Sequence, residues 1–226
     1  MKIALLGKGK TGSKVIELCE SPEYSHIQLE VFDSKNPLKK VDLNRFDIVL
    51  SFLNGDVFLE HYFELLSESG ICVVTGSTGF TWTAQLISQI KSPWIKATNF
   101  SLGMNLAKEM IRIAAKAQAL FPASDLKYEI HEVHHTKKMD APSGTALSWQ
   151  EWLEKDSTIT SERIGDVIGI HEIKIDTPNE YITIKHEAKD RKIFAAGALW
   201  ACERVSNLAP GLHDFSDIAL QVIRNS

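Results

Sequence analysis

Cysteine is scarce in this chain of 226 residues: there are three, Cys19, Cys72 and Cys202. They are scattered, odd in number and form no CxxC pair. That excludes a disulfide framework and a cysteine-rich zinc site, and it fits a reducing compartment. A surplus of positive charge is also missing. Lys and Arg number 25 against 29 Asp and Glu, a net charge of −4, so the bulk balance points to no nucleic-acid surface. No apolar run approaches the length of a membrane span, and the opening MKIALLGKGK is too short for a signal peptide. There is no internal repeat and no low-complexity tract. The expectation is a soluble cytoplasmic protein that partners neither nucleic acid nor membrane. With 44% hydrophobic and 24% charged residues it has the means to bury a core.

What is present is organised in two textures. Over the first hundred residues, short apolar runs (KIALLG, IQLEVFD, IVLSFL, GICVVTG) alternate with helical patterns such as TGSKVIELCE and GDVFLEHYFELLSES. Strands alternating with helices predict a parallel sheet covered on its faces. After WIKATNF the pattern changes. Residues 103–121 read as a long helix with an apolar stripe of Leu106, Met110, Ile113, Ala117 and Leu120. The strand KYEIHEVHH, the helix TALSWQEWLEKD, strands around VIGIHEIKI and EYITIKHEA, and a helix around FAAGALWACERV follow. The longer, alternating β segments predict an open mixed sheet with one face covered. The fold class is therefore α/β. Residues 1–102 form a first domain, residues 103–206 a second, and the tail 207–226 is a Pro-Gly loop with a short apolar element.

The first domain opens on a glycine-rich turn. GKGKTG, Gly7 to Gly12, is G-x-G-x-x-G directly after a strand and at the start of a helix, the context a dinucleotide-binding turn requires. Gly7 permits the tight turn, Gly9 lets backbone approach a pyrophosphate, and Gly12 lets helix and sheet pack closely. The helix start, with Thr11, offers free N–H groups to phosphate. Lys8 and Lys10 either assist there or are solvated. Asp33 ends the second strand at the distance where a carboxylate accepts from a ribose hydroxyl, which favours NADH over NADPH. Lys35, Lys39 and Lys40 soften that bias, so the expected cofactor is NADH or NADPH with a lean to NADH. Gly76, Ser77 and Thr78 follow one later strand, and Ala97, Thr98, Asn99 and Phe100 another, where a parallel sheet places its ligands.

The second domain concentrates its chemistry in EVHHTKKMDAPSGTA, residues 132–146. Strand alternation puts Ile130, Glu132 and His134 on one side, with His131, Val133 and His135 on the other. His134 and His135 can share a site only if the strand stops there. Pro142 disfavours helix at Ala141, so the next helix starts near Ser143. The N–H groups of Ser143, Gly144 and Thr145 then form an anion site at its N-terminus. With an imidazole and an ammonium beside it, the site suits a carboxylate substrate and contains a proton donor near neutral pH. A metal site of H-x-x-H-H with Asp140 is disfavoured, since His131 and His134 face opposite ways. Lys137 is expected to face water, and Asp140 to shape the turn or cap the helix.

These residues carry a resemblance. H-H-x-x-K-x-D-A-P-S-G-T-A, His134 to Ala146, resembles the motif of the dihydrodipicolinate reductase family. GKGKTG, GSTGF, TNFSLGMN, IGIH, FAAGAL and PGLHDFSDIAL resemble further family motifs in the same order, from residue 3 to about residue 220. The resemblance implies a Rossmann-type N-terminal domain, an α/β C-terminal domain whose sheet builds a homotetramer, and a tail that returns to the cofactor domain. It implies hydride transfer from NAD(P)H to a cyclic unsaturated dicarboxylate, giving tetrahydrodipicolinate. By motif position, His134 is the proton donor/acceptor and Lys138 the second donor. His135, Gly144 and Thr145 bind a substrate carboxylate with Ser143 nearby. Gly7 to Gly12, Asp33, Gly76 to Thr78 and Ala97 to Phe100 line the cofactor. Retention of both His134 and Lys138 favours an enzyme over a nucleotide-binding sensor. The chain departs from the family after IGIH, where a V-R-G-G loop is replaced by a shorter hairpin without that arginine. Lys174 is the basic residue available in its place.

Overall fold

The computed structural model describes residues 1–122 and 125–225. In chain order its elements are β1 (Lys2–Leu6), α1 (Gly12–Cys19), β2 (Gln28–Phe32), β3 (Ile48–Ser51) and α2 (Gly55–Phe58). A π-turn, Leu59–Phe63, carries α2 straight into α3 (Glu64–Ser69). Then come β4 (Cys72–Thr75), α4 (Ala84–Gln89), β5 (Pro93–Lys96), α5 (Leu102–Ala114), β6 (Lys127–His134), α6 (Gly144–Leu153), β7 (Thr158–Arg163) and β8 (Ile170–Asp176). The last elements are β9 (Tyr181–Glu187), α7 (Lys192–Val205), β10 (Gly211–Asp214) and α8 (Phe215–Asn225). The chain divides into two units, Met1–Ser101 with Arg191–Ser226, and Leu102–Asp190.

The first unit is built on a six-stranded sheet in the order β10-β5-β4-β3-β1-β2, all neighbours parallel. The strands are apolar at successive positions because both faces are covered. Ile3, Leu5, Leu50, Val74 and Ile95 point into one core with Val15 of α1 and Ala198 and Leu199 of α7. Ala4, Leu6, Val49, Val73 and Trp94 point into the other with Phe58, Tyr62, Phe63 and Leu66. The tail, read from sequence as a Pro-Gly loop with a short apolar element, contains a strand, β10, which adds to β5 in parallel.

Helix α7, placed in the second domain by the sequence pattern, belongs instead to the first unit. The physical reason is its small-residue face. Ala195, Gly197, Ala198, Ala201 and Cys202 are buried, and they let the helix close directly on the sheet. Gly197 marks the tightest point: a Cβ there would lie 1.8 Å from the carbonyl oxygen of Phe100.

The second unit holds a four-stranded sheet, β7-β6-β8-β9. β6 and β7 are parallel, and the other two pairings are antiparallel. One face packs on α5 and α6 around Ile111, Ile130, Trp149, Leu153 and Ile173. The other presents Glu129, His131, Glu172 and Lys185, the opposite phase of the same strands. The helix expected over 103–121 ends at Ala114, and most of its expected stripe is not the one the core uses. Leu106, Met110 and Ile113 on α5 and Leu120 beyond it are exposed, Ala117 packs against the core from beyond the helix, and Met104, Ala107 and Ile111 are buried. The helix has apolar residues on both sides. Met104 wins the inner position, where its sulfur accepts the indole N–H of Trp149 at 3.1 Å. The β8–β9 hairpin is tight, closed by Thr177 N–H and hydroxyl on the Glu180 carbonyl at 2.9 and 2.8 Å.

Gly197→Ala should destabilise the chain by about 1–3 kcal/mol, since a methyl against backbone cannot be relieved by a rotamer change. Urea unfolding monitored by tryptophan fluorescence is the measurement.

Candidate active site

In the first unit the expected nucleotide residues collect at one edge because every strand is parallel. The turn after β1, Asp33 after β2, Gly76–Thr78 after β4 and Ala97–Phe100 after β5 all follow carboxyl ends of strands. Gly7 has φ +90, a backbone angle side chains resist. A Cβ on Gly12 would lie 2.0 Å from the Gly7 carbonyl oxygen, so α1 starts hard against the turn. A Cβ on Gly9 would meet nothing within 4 Å, so the backbone there is bare on the side a ligand would use. Asp33 accepts from the N–H groups of Lys35 and Asn36 at 2.9 and 3.1 Å, and Lys8 Nζ lies 2.6 Å from its second oxygen. The Lys8 ammonium, with those two N–H groups, holds the Asp33 carboxyl down at about 2. Lys10 is exposed, and Thr11 precedes α1 without a side-chain capping bond.

Four of these residues also do structural work. The Phe100 side chain is a core residue, packed on Phe52 and Phe215 with ring centroids at 5.8 and 5.0 Å, so only its backbone borders the edge. Ser77 is buried with its hydroxyl 3.1 Å from that of Ser51, tying the loop after β4 to the end of β3. Gly76 lies under the Phe52 ring, which a Cβ would approach to 2.7 Å. Asn99 turns back to accept from Ser101 N–H at 2.8 Å.

In the second unit β6 ends at His134 and His135 begins a loop, the break that lets both imidazoles serve one place. His134 is buried on the helix-covered face, and its Nδ1 hydrogen-bonds the wholly buried carboxylate of Glu132. The other Glu132 oxygen accepts from Arg163 at 3.0 Å and from Ser143 N–H at 3.3 Å. Burial pushes the Glu132 carboxyl up, but hydrogen bonds from Arg163, Ser161 and His134 outweigh it and hold it at about 2. For His134 burial dominates and lowers its pKa against the pull of Glu132. A Cβ on Gly169 would stand 3.1 Å from His134 Nε2, so that nitrogen has bare backbone beside it. His135 Nδ1 is buried without a hydrogen-bond partner among the described residues.

The loop after His135 is set by one ion pair and by one guanidinium on its carbonyls. Lys138 Nζ lies 2.8 Å from both oxygens of Asp140, and Arg163 donates to the carbonyls of Lys138 and Asp140 at 3.3 and 2.5 Å. Asp140 therefore holds the lysine; it does not cap α6. The cap is Ser143, whose hydroxyl accepts from Ala146 N–H at 3.2 Å and lies 3.2 Å from His171 Nε2. Ser143 is buried, its side chain spent on structure, whereas Gly144 is exposed and Thr145 half-exposed at the helix start. Lys137 is exposed.

Three residues here had no assigned role in the sequence reading: Glu132, Arg163 and His171. The two-residue period already put Glu132 beside His134. Arg163 lies on β7, a strand the sequence pattern did not show. Lys174 does not stand in for the family's arginine. It sits three residues from His171 on β8, hence on the opposite face of the sheet, over Tyr181 and 3.8 Å from Asp176. Glu132, His134 and His171 bring three potential ligand atoms within 4.8 Å of one another. Arg163 engages that carboxylate, and a guanidinium there opposes a dication. His131 points to the other face, 2.9 Å from Thr160.

Burial lowers the His171 pKa to about 3, with the nearby His134 adding to the effect. An unfolded histidine takes up a proton near pH 6.5, so the unfolded state binds more protons as pH falls through 6.5 and the fold loses stability. The loss amounts to about a kcal/mol per pH unit until the folded value is reached. Between pH of about 6.5 and about 5, above the carboxyl range, urea unfolding should show this slope, and His171→Gln should make it shallower.

Comparison with known proteins places this geometry. Residues 103–219 match the family model described as dihydrodipicolinate reductase, C-terminus. The chain is 35% identical over 219 residues to the 4-hydroxy-tetrahydrodipicolinate reductase of Myxococcus xanthus, covering 85% of this chain and 78% of that protein. It is 30% identical over 226 residues to the enzyme of the same name from Thermosipho africanus, covering 96% and 97%. In fold it is similar to a dipicolinate-bound dihydrodipicolinate reductase from Paenisporosarcina sp. TG-14, with TM-score 0.75, 23% identity and coverage of 96% and 99%. The relatives span nearly the whole chain and the family model spans the unit that carries His134 and Lys138: this chain belongs to the dihydrodipicolinate reductase family.

Proposed function

We propose that the chain reduces 4-hydroxy-tetrahydrodipicolinate to tetrahydrodipicolinate, a step of lysine and diaminopimelate biosynthesis, with His134 and Lys138 handling protons. The observation that carries this is the pairing of a buried imidazole and a held ammonium at the end of β6, with the exposed start of α6 next in the chain. Net, the substrate ring loses its 4-hydroxyl as water and gains a hydride and a proton. A reduced nicotinamide supplies the hydride when bound. Gly7, Lys8, Gly9, Lys10, Thr11 and Gly12 would hold its pyrophosphate, with Asp33 at the ribose. Gly76, Ser77, Thr78, Ala97, Thr98, Asn99 and the backbone of Phe100 would border the rest.

His135, the Gly144 N–H and Thr145 bind a substrate carboxylate. That carboxylate competes with Asp140 for Lys138 and frees the ammonium to donate. His134 is uncharged at neutral pH in the free chain because burial lowers its pKa, and an arriving dianion favours its protonated form. Asp33 supports NADH as the preferred cofactor. Lys8 beside it offsets part of its charge, which keeps NADPH usable. A cytoplasmic homotetramer completes the proposal.

Purified protein should oxidise NADH or NADPH when given substrate freshly made by the preceding synthase. Lys138→Met should lower turnover by about 10²–10⁴; an active Lys138→Met protein would remove that lysine's role. Gly9→Ala should leave the unfolding midpoint unchanged, since its Cβ meets nothing within 4 Å, yet weaken NADH binding in a fluorescence titration. Unchanged affinity would count against the glycine turn as the nucleotide site.

A further inference from the structure

We propose that Glu132 is a positioning residue of this site: it fixes His134 in the tautomer that carries the proton on Nδ1 and leaves Nε2 to exchange protons with substrate, while Arg163 locks Glu132 and the Lys138 loop into one rigid piece. The inference deepens the reductase reading and rests on it for the identity of the reaction alone.

Four observations converge. Glu132 has no exposed surface, so its charge has only protein groups to satisfy it. Besides the Ser161 side chain on β7, those groups belong to the site: His134 Nδ1 on one oxygen, and Arg163 and Ser143 N–H on the other. A carboxylate held ionised by a guanidinium can only accept, so the imidazole nitrogen facing it must be the one with hydrogen. The second nitrogen, Nε2, faces bare backbone at Gly169. Finally, Arg163 spans strand and loop. One guanidinium reaches the Glu132 carboxylate and the carbonyls of Lys138 and Asp140, so the same contact that orients His134 sets the height of Lys138.

The register of the sheet explains why these residues meet. His134 pairs with Arg163 across β6 and β7, and Glu132 with His171 across β6 and β8. The groups facing His134 are thus Glu132 on its own strand, Arg163 on β7, His171 on β8 and Lys138 on the loop. Glu132 is the one anion among them. Without it the imidazole would face two cations and a neutral ring, with nothing to accept from Nδ1.

The first test needs no variant and no turnover. Nitrogen NMR of isotope-labelled histidine in the intact protein, with the His134 signal assigned by its loss in His134→Gln, should show a neutral ring protonated on Nδ1. A ring protonated on Nε2, or an even mixture, overturns the proposal. The second test is the double variant Glu132→Gln/Arg163→Met, which removes both buried charges together and so spares the fold an uncompensated one. It should keep the wild-type unfolding midpoint and NADH affinity, lose the fixed tautomer, and show kcat reduced on the order of 10²-fold with a displaced acid limb in its pH profile. Wild-type kcat and pH profile in a folded double variant overturn the proposal. A wild-type protein inert with both nucleotides would refute the reductase reading, while the tautomer would still decide the role of Glu132. Should the double variant fail to fold, the wild-type tautomer decides alone.

Discussion

A carboxylate with no exposed surface is the fixed point of the second unit. Glu132 costs desolvation energy where it sits, and its contacts must offset that cost locally. They do so with parts of three elements: a strand neighbour, His134; an adjacent strand, through Arg163; and the start of a helix, through Ser143 N–H. A buried ion pair of this kind adds little net stability compared with apolar residues of the same size. What it supplies is geometry, because each partner has one arrangement that satisfies the charge. The strand end, the loop and the helix start are then not independently adjustable.

The candidate ligand sites of the two units are prepared by different means. In the first, backbone does the preparation: a turn made of glycine, a helix start pressed against it, and strand ends aligned by parallel pairing. In the second, side chains do it through charge. A bare turn tolerates a large ligand whose phosphates are spread out. A rigid cluster of imidazole and ammonium suits a small ring with carboxylates at fixed spacing. The Asp33–Lys8 pair shows the same economy in the first unit, where a carboxylate held near 2 stays ionised across physiological pH.

Much of this was legible in the residues. The glycine turn and Asp33 followed from spacing within some thirty residues, and the parallel sheet from the alternation of apolar runs with helical patterns. The break after His134 followed from Pro142 and strand periodicity. What escaped had non-local causes. β7 is polar and mostly exposed along TITSER, so no apolar pattern marks it, and Arg163 is brought to Glu132 only by pairing with β6. α7 looked like a neighbour of the preceding strands because it follows them in sequence. Its alanine and glycine face fits the first sheet, which lies a hundred residues earlier. On α5 two apolar stripes compete, and only the sheet and α6 decide which is inside. Glu132 was visible on the same side as His134, but a charge on the buried side of a strand gives no sign of its partners until the neighbouring strands are in place.

The division of the chain has a bearing on how it is made. Residues 102–190 are inserted between two parts of the other unit, and their contacts are mostly between neighbouring strands and helices. The sheet of the first unit lacks an edge strand and the helix that closes one face until residues 191–225 have been synthesised. On the ribosome, the inserted unit can therefore reach its final form while the first unit is still waiting for α7 and β10, with one apolar face of β3, β4 and β5 uncovered. The interval between residues 101 and 191 is the period in which the first unit is most exposed to aggregation, and its length is set by the translation of the insert.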